Sequence, residues 1–331
     1  MAGRATILVL LLCFPSLACR TGSSQSTDAL TPPVKYTWTQ LTERAEFAES
    51  YNFPVFVAKG RMWAFQGEAI WSSTDGKAWT RSDLPSVRRD VYQADYVLLN
   101  EAVYALGDNS GNYENIRFKP TVKRTTDFRS WQTISERSNL PGRIFRGVVA
   151  FDGKIWVLGG YDGRNYFNDV WNSTDGATWT RVTGQAPWSP RTIGTPIVFN
   201  GRIFIIGGGV IDGDKVIDPG STREIWSSAD GKLWTKVTGE LPRMSGGSPI
   251  VLDGKLWLVG ANRDGVFGRS SMVSSDGVSW TEEPAPWSPR GGVAVWTHDG
   301  KVFMTGGKYS VTENGRIRFI YSNDVWVMTK K

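Results

Sequence analysis

The chain has 331 residues, a net charge of +6, 12% aromatic residues and 16 tryptophans, which excludes a disordered chain and allows a large core. Its basic residues are spread out, with no basic stripe and no nucleic-acid module, so no nucleic-acid partner is expected. The cysteines are Cys13 and Cys19, both near the N-terminus, and the single histidine is His298, so the body offers no disulfide, no thiolate and no histidine cluster. No metal, no cofactor and no Ser-His-Asp triad is expected from that inventory.

Met1 to Ala18 joins a short segment carrying Arg4 to an apolar run from Ala5 to Phe14. The run is too short to span a bilayer and reads as an export signal. Cys19 after Ser16-Leu17-Ala18 resembles the bacterial lipoprotein signal, although the leucine stands one place later than in that pattern. The resemblance implies lipidation of Cys19 and anchoring in a bacterial cell envelope, at the outer membrane or the periplasmic side. An ordinary secretory peptide cleaved nearby is the alternative. Residues 20–35, rich in Ser, Thr, Gly and Pro, read as a flexible tether. No later stretch is long and apolar enough to span, so membrane contact is expected through the N-terminal lipid only. The division is signal 1–19, linker 20–35 and one folded domain 36–331.

The domain repeats. Trp63, Tyr104, Trp156, Phe204, Trp257 and Phe303 recur at spacings of 41 to 53 residues. Five of them follow a turn-like pair: Lys59-Gly60, Asp152-Gly153, Asn200-Gly201, Asp253-Gly254 and Asp299-Gly300; Asn100-Glu101 is the degenerate copy. Such pairs between β-branched and aromatic runs predict tight hairpins, because the turn needs positive φ. A second series, Trp38, Trp79, Trp131, Trp179, Trp234 and Trp280, marks six outer strands, and the last five lie four residues after Asp75, Asp127, Asp175, Asp230 and Asp276. The two series are out of phase. The outer strand Tyr36 to Leu41 precedes every hairpin, and the last hairpin, ending at Asn323-Asp324-Val325-Trp326, has no outer strand after it. A ring resolves this if the N-terminal strand completes the C-terminal sheet. The prediction is an all-β, six-bladed β-propeller with four antiparallel strands per blade.

The pairs Gly159-Gly160, Gly207-Gly208 and Gly306-Gly307, the downstream tryptophans, and Pro190-Arg191, Pro242-Arg243 and Pro289-Arg290 resemble kelch repeats, from Tyr36 to the C-terminus. Blades 1 and 2 depart most, with single glycines (Gly67, Gly107) and with Lys123 where other blades have Trp71, Trp171 or Trp226. Ser73 to Trp79 and Ser173 to Trp179 are similar to Asp-boxes shortened by one residue, and read as structural turns. Kelch propellers include galactose oxidase, whose copper site needs histidines and a Cys-Tyr crosslink that this body lacks. Sialidase propellers use an Arg triad with a Tyr-Glu pair; arginines are present here, but no such pair can be placed. The bacterial N-acetylneuraminate epimerase is a further six-bladed kelch protein, which handles an acidic sugar.

With strands lettered a to d from the channel outward, the a–b and c–d turns share one face and the b–c and d–a loops the other. The first face carries near-identical Asp-Gly turns. The second carries the length variation: short in blade 1 (Gly67 to Ala69), long in blades 2 (Asp108 to Pro120), 4 (Val210 to Ser221) and 6 (Lys308 to Ser322). Variable loops on a rigid scaffold are where binding residues usually sit. Arg143, Arg191, Arg243 and Arg290 stand at the start of strand a in four blades, with Arg89 near that place in blade 2. They form either a cationic collar for a carboxylate-bearing ligand or a framework feature bonded within the blades. Tyr161, Tyr309 and Tyr113 could stack on a sugar or cover blade edges. Trp188 and Trp287, in repeated Pro-Trp-Ser-Pro-Arg loops, are either exposed platforms or packing between blades. Asp212, Asp214 and Asp218 cluster oxygens without an EF-hand pattern.

The expected function is binding of a protein or carbohydrate partner, with acidic character, by a monomeric, non-catalytic propeller. The alternative is an enzyme acting on an acidic sugar, with Glu68, Glu224 or Asp108 as acid–base.

Overall fold

The computed structural model describes residues 35–67, 69–87, 94–111, 115–212, 215–216, 223–237, 241, 244–245, 247–263 and 266–331. Its strands form six four-stranded antiparallel sheets. Strands a to d are Val55–Ala58, Arg61–Gln66, Ala69–Ser73 and Thr80–Arg81 in blade 1. In blade 2 they are Asp95–Leu99, Ala102–Leu106, Val122–Thr125 and Gln132–Ser135. Blade 3 uses Gly147–Phe151, Lys154–Tyr161, Tyr166–Ser173 and Thr180–Thr183. Blade 4 uses Ile197–Phe199, Arg202–Ile206, Ile225–Ser228 and Thr235–Val237. Ser248–Leu252, Lys255–Val259, Ser270–Ser274 and Thr281–Pro284 make blade 5. Blade 6 takes Ala294–His298, Lys301–Thr305 and Val325–Lys330 from the C-terminus and Tyr36–Thr42 from the N-terminus. The propeller and its closure by the N-terminal strand are therefore as the repeat phase requires.

The local chemistry explains the hairpins. Lys59, Asp152, Asn200, Asp253 and Asp299 have φ near +50°, each followed by a glycine near +68°. In blade 2, Asn100 (φ 50°) and Glu101 (φ 61°) make the same turn without glycine. Trp79, Trp131, Trp179, Trp234 and Trp280 do not lie on the outer strands, as expected from sequence, but end the c–d turns just before them. The turn itself is held by the aspartate. Asp175 Oδ1 accepts from the amides of Ala177 (2.8 Å) and Thr178 (3.0 Å), the Gly176 amide donates to Ser173 Oγ, and Trp179 Nε1 donates to the Gly176 carbonyl (2.9 Å).

The core lies between blades, in six clusters that each join two neighbours around the ring, the blade 6–blade 1 cluster included. The two sequence series meet there. The strand-b aromatic of one blade covers the c–d turn glycine of the next: Phe303 on Gly76, Tyr104 on Gly176, Trp156 on Gly231 and Phe204 on Gly277. Blade 2 has Phe128 instead of that glycine, at φ 55°, and its ring stacks on Trp63 at 4.2 Å. The glycine is needed at 231 for two reasons: φ is +67°, and a Cβ would stand 2.1 Å from the Trp156 ring. Gly231→Ala should destabilise the fold by about 2–4 kcal/mol, from left-handed backbone strain plus overpacking, measured by chemical denaturation.

Additional strands decorate the b–c side. They are the hairpins Ile211–Asp212/Lys215–Val216 and Lys308–Glu313/Arg316–Tyr321, and a ribbon of Met244–Ser245, Asn262–Arg263 and Val266–Phe267. The blade 6 connection, expected as a loop, is thus an ordered two-stranded projection. No described helix is long and apolar enough to cross a membrane.

Candidate functional site

The loop face has its own joinery. The segment leading into strand a bridges the far end of strand b at Ile144–Tyr161, Thr192–Gly209 and Gly291–Lys308, and at Met244–Arg263 through the ribbon. The residue immediately before the bridge is Arg143, Arg191 or Arg290 in blades 3, 4 and 6. Adjacent residues of extended backbone point to opposite sides, and these arginines turn inward.

Their exposures are 1%, 1% and 2%, and each meets a carboxylate of its own blade. Arg143 pairs with Asp169 at 2.5 Å, donates to the Gly159 carbonyl at 3.0 Å, and lies 4.0 Å over the Phe167 ring. Arg191 donates to Glu224 Oε2 at 2.7 Å. Arg290 spans both oxygens of Asp324 at 2.5 and 3.0 Å and reaches the Gly306 carbonyl. The same carboxylates accept from a tryptophan two residues later: Trp171 to Asp169 (2.8 Å), Trp226 to Glu224 (3.1 Å) and Trp326 to Asp324 (2.8 Å). Of the two readings left open for Arg143, Arg191 and Arg290, a cationic collar or a framework feature bonded within the blades, the burial and the internal ion pairs agree with the second. Arg89 and Arg243 lie outside the described residues.

The carboxylate–indole half of this arrangement was readable as a spacing. Asp169-x-Trp171, Glu224-x-Trp226 and Asp324-x-Trp326 place acid and indole on one side of strand c, since alternate residues share a face. Trp71, with Ala69 in the acid's place, has an indole N–H without a partner.

The acid–base candidates fare differently. Glu68 lies outside the described residues. Asp108 pairs with Lys119 (3.2 Å) and Lys123 (3.6 Å) at the surface. Glu224 is opposed by burial, but hydrogen bonds from Lys236, Trp226 and Arg191 and the Arg191 charge outweigh it and hold its carboxyl at about 2. A group so depressed stays ionised and is poorly matched to proton transfer near neutrality. The depressed value also links it to stability. Its contribution is complete above the ordinary carboxyl value and is lost as pH falls through about 2. Glu224→Gln should therefore be less stable than the parent at pH 7, with the gap closing as pH falls from about 4.5 to 2 in urea titrations. The turn carboxylates Asp75, Asp175 and Asp230 are also lowered, chiefly by the amides of Ala78, Thr178 and Leu233.

Trp188 and Trp287 are 1% and 0% exposed, so they pack between blades and are not platforms. Trp287 meets Trp38 edge-on at 4.6 Å, and Trp188 meets Trp234 at 6.1 Å. Tyr161 ends strand b of blade 3 and stacks on Tyr166 at 4.6 Å. Tyr309 sits on the blade 6 hairpin opposite Ile320, half-buried. Tyr113, Asp214 and Asp218 are outside the described residues. His298 lies beside the a–b turn at Asp299, on the other face.

What the sequence reading missed is the hairpin's apolar side. Its register pairs Lys308 with Tyr321, Ser310 with Phe319 and Thr312 with Ile317, so these six share one side. Ile317 is 70% and Phe319 43% exposed. At the base, Lys308 Nζ stands 4.1 Å from the Tyr51 ring and 4.5 Å from Phe319. Val266, 70% exposed, belongs to the b–c hairpin of blade 5. Alternation along Arg316 to Tyr321 was the available signal.

The comparisons agree with this geometry. A family model described as the kelch motif matches residues 142–172, which hold Arg143, the Gly159-Gly160 pair and Asp169-x-Trp171. The solved structure of YjhT superposes at TM-score 0.65 and 12% identity, over 88% of this chain and 99% of that one. The chain is a six-bladed β-propeller, with a match to the kelch motif over residues 142–172. Among curated proteins, no sequence matches it significantly. In this propeller the matched repeat coincides with the blade whose strands b and c are, among the described residues, the longest, at eight residues each.

Proposed function

We propose that this protein is exported, anchored through a lipid on Cys19, and binds a protein or glycan partner with the b–c and d–a loop face, without chemistry of its own. The observation that carries the reading is the blade 6 hairpin. It leaves the blade and displays Ile317 and Phe319 to solvent, where a monomeric fold gains nothing from them. A kelch-type propeller supports a binding or scaffold role in general. Partner acidity is supported by Lys308, Arg316 and Arg318 on the hairpin against the single Glu313. An acidic-sugar enzyme has less support, since Arg143, Arg191 and Arg290 are committed to internal carboxylates.

The test is site-specific photo-crosslinking in intact cells, with the crosslinker at position 317 or 319 and, as control, at Leu233, which is as exposed as Ile317 and lies in the c–d turn of the other face. Adducts of one defined mass from 317 and 319 alone are the expected result. Equal labelling from 233, or none from the hairpin, would discard the reading. For the anchor, mass spectrometry of the membrane fraction should find an acylated Cys19 as the mature N-terminus; an unmodified terminus elsewhere removes that part.

A further inference from the structure

The arginine that leads into strand a is completed differently in different blades. In blades 4 and 6 a serine stands two residues earlier. The Ser189 carbonyl accepts from Arg191 Nε at 3.0 Å and its hydroxyl from a terminal nitrogen at 2.6 Å. Ser288 does the same for Arg290, at 3.2 and 2.5 Å. Blade 3 reads Pro141-Gly142-Arg143, without the serine. Pro141 stands in the serine's place and has no hydroxyl to offer. Arg143 Nε, on a side chain 1% exposed, has no protein partner.

A second unpaired group belongs to blade 2. Thr121 occupies the place that Asp169, Glu224 and Asp324 occupy in their blades, two residues before the tryptophan position, here Lys123. It is 1% exposed and its hydroxyl has no partner. Both residues line one cavity of about 10 Å³ where blade 2 meets the lead-in of blade 3, with Asn109, Lys119, Ser138 and Gly142. That is the space of about one water. Arg143 and Arg146 on its wall are already neutralised by Asp169 and Asp95, at 2.5 and 2.7 Å, so the site favours a neutral occupant over an anion.

We infer that this cavity is a binding site for a single water molecule. The water accepts from Arg143 Nε and bonds to Thr121 Oγ1, and so supplies across the blade 2–blade 3 joint the acceptor that Ser189 and Ser288 supply within their own lead-ins. A guanidinium N–H and a hydroxyl left unpaired on buried side chains are expensive, and a water needs two or more polar partners to be held; the lining of this cavity offers both groups. The bound water fixes the base of the long blade 2 connection, whose Asn109 and Lys119 form part of the same wall.

The test uses the whole protein with arginine side chains labelled with ¹⁵N at Nε. The Arg143 Hε resonance should show a cross-peak to water, whereas those of Arg191 and Arg290 should not, since serine carbonyls hold them. Thr121→Val should abolish the Arg143 cross-peak without changing the far-ultraviolet spectrum, and Thr121→Ser should keep it. A high-resolution crystal structure should place one water within hydrogen-bond reach of both atoms. Equal cross-peaks at all three arginines, an undiminished peak in Thr121→Val, or an anion refined in the cavity would overturn the inference.

Discussion

Deleting Tyr36–Thr42 is expected to lower stability by about 5 kcal/mol or more, a large share of what an ordinary domain has, and to lower Tm by about 10 °C or more. The strand is short, but it is the outer strand of blade 6, paired with Val325–Lys330 from Tyr36–Lys330 to Gln40–Trp326. Its loss uncovers Trp287 and Met328, both 0% exposed in the closed ring. Two aromatic contacts go with it, Trp38 on Trp287 at 4.6 Å and Tyr36 on Trp257 at 5.0 Å. Tyr36 also ties blade 6 to blade 5. Its hydroxyl donates to Asp253 Oδ2 at 2.9 Å, where Lys330 pairs at 3.1 Å. Burial and that bond push the hydroxyl up to about 12, so it stays a donor throughout the stable range. An opened ring also exposes a strand edge, so the truncated protein should aggregate on heating. Deleting only residues 1–35 is expected to leave Tm unchanged. Calorimetry of the two truncations decides the matter; equal Tm values would mean the ring does not depend on this strand.

The second large effect is at the arginine triads. Arg290→Met should destabilise by about 3–5 kcal/mol, because it leaves Asp324 as an inward charge whose remaining side-chain donor is the Trp326 indole. The pairing partner matters more than the pair. The double variant Arg290→Met/Asp324→Leu should recover most of the loss, as apolar replacements of buried ion pairs often do. Urea denaturation of both single variants and the double variant gives the coupling directly. If Arg290 served a ligand and not the framework, Arg290→Met would keep its urea midpoint, and the double variant would show no recovery.

The sequence and the structure divide along physical lines. Hairpin turns and Asp-held c–d turns are local: a few adjacent residues satisfy their own backbone donors, as Asp175 does for Ala177 and Thr178. Such features repeat in sequence because the same local problem repeats. The phase mismatch between Trp38 and the six hairpins made ring closure legible as well, since an incomplete four-stranded sheet at each terminus has one economical solution. The roles of Arg143, Arg191 and Arg290 were not legible to the same degree. An arginine at a strand start faces solvent or the blade depending on the bridge that follows it, and the acid that receives it is 26 to 34 residues away.

By itself, then, the sequence determined the blade: its four strands, its turns, its count of six and the way the ends meet. These follow from period, turn chemistry and apolar alternation, which act over a few residues. Only the tertiary structure decided which side chains remain available on the loop face. It buried the arginines and Trp188 and Trp287, and it raised Ile317 and Phe319 into solvent on an ordered hairpin. Availability depends on what the neighbouring blade places opposite a residue, and the spacing of residues along one chain does not contain that information.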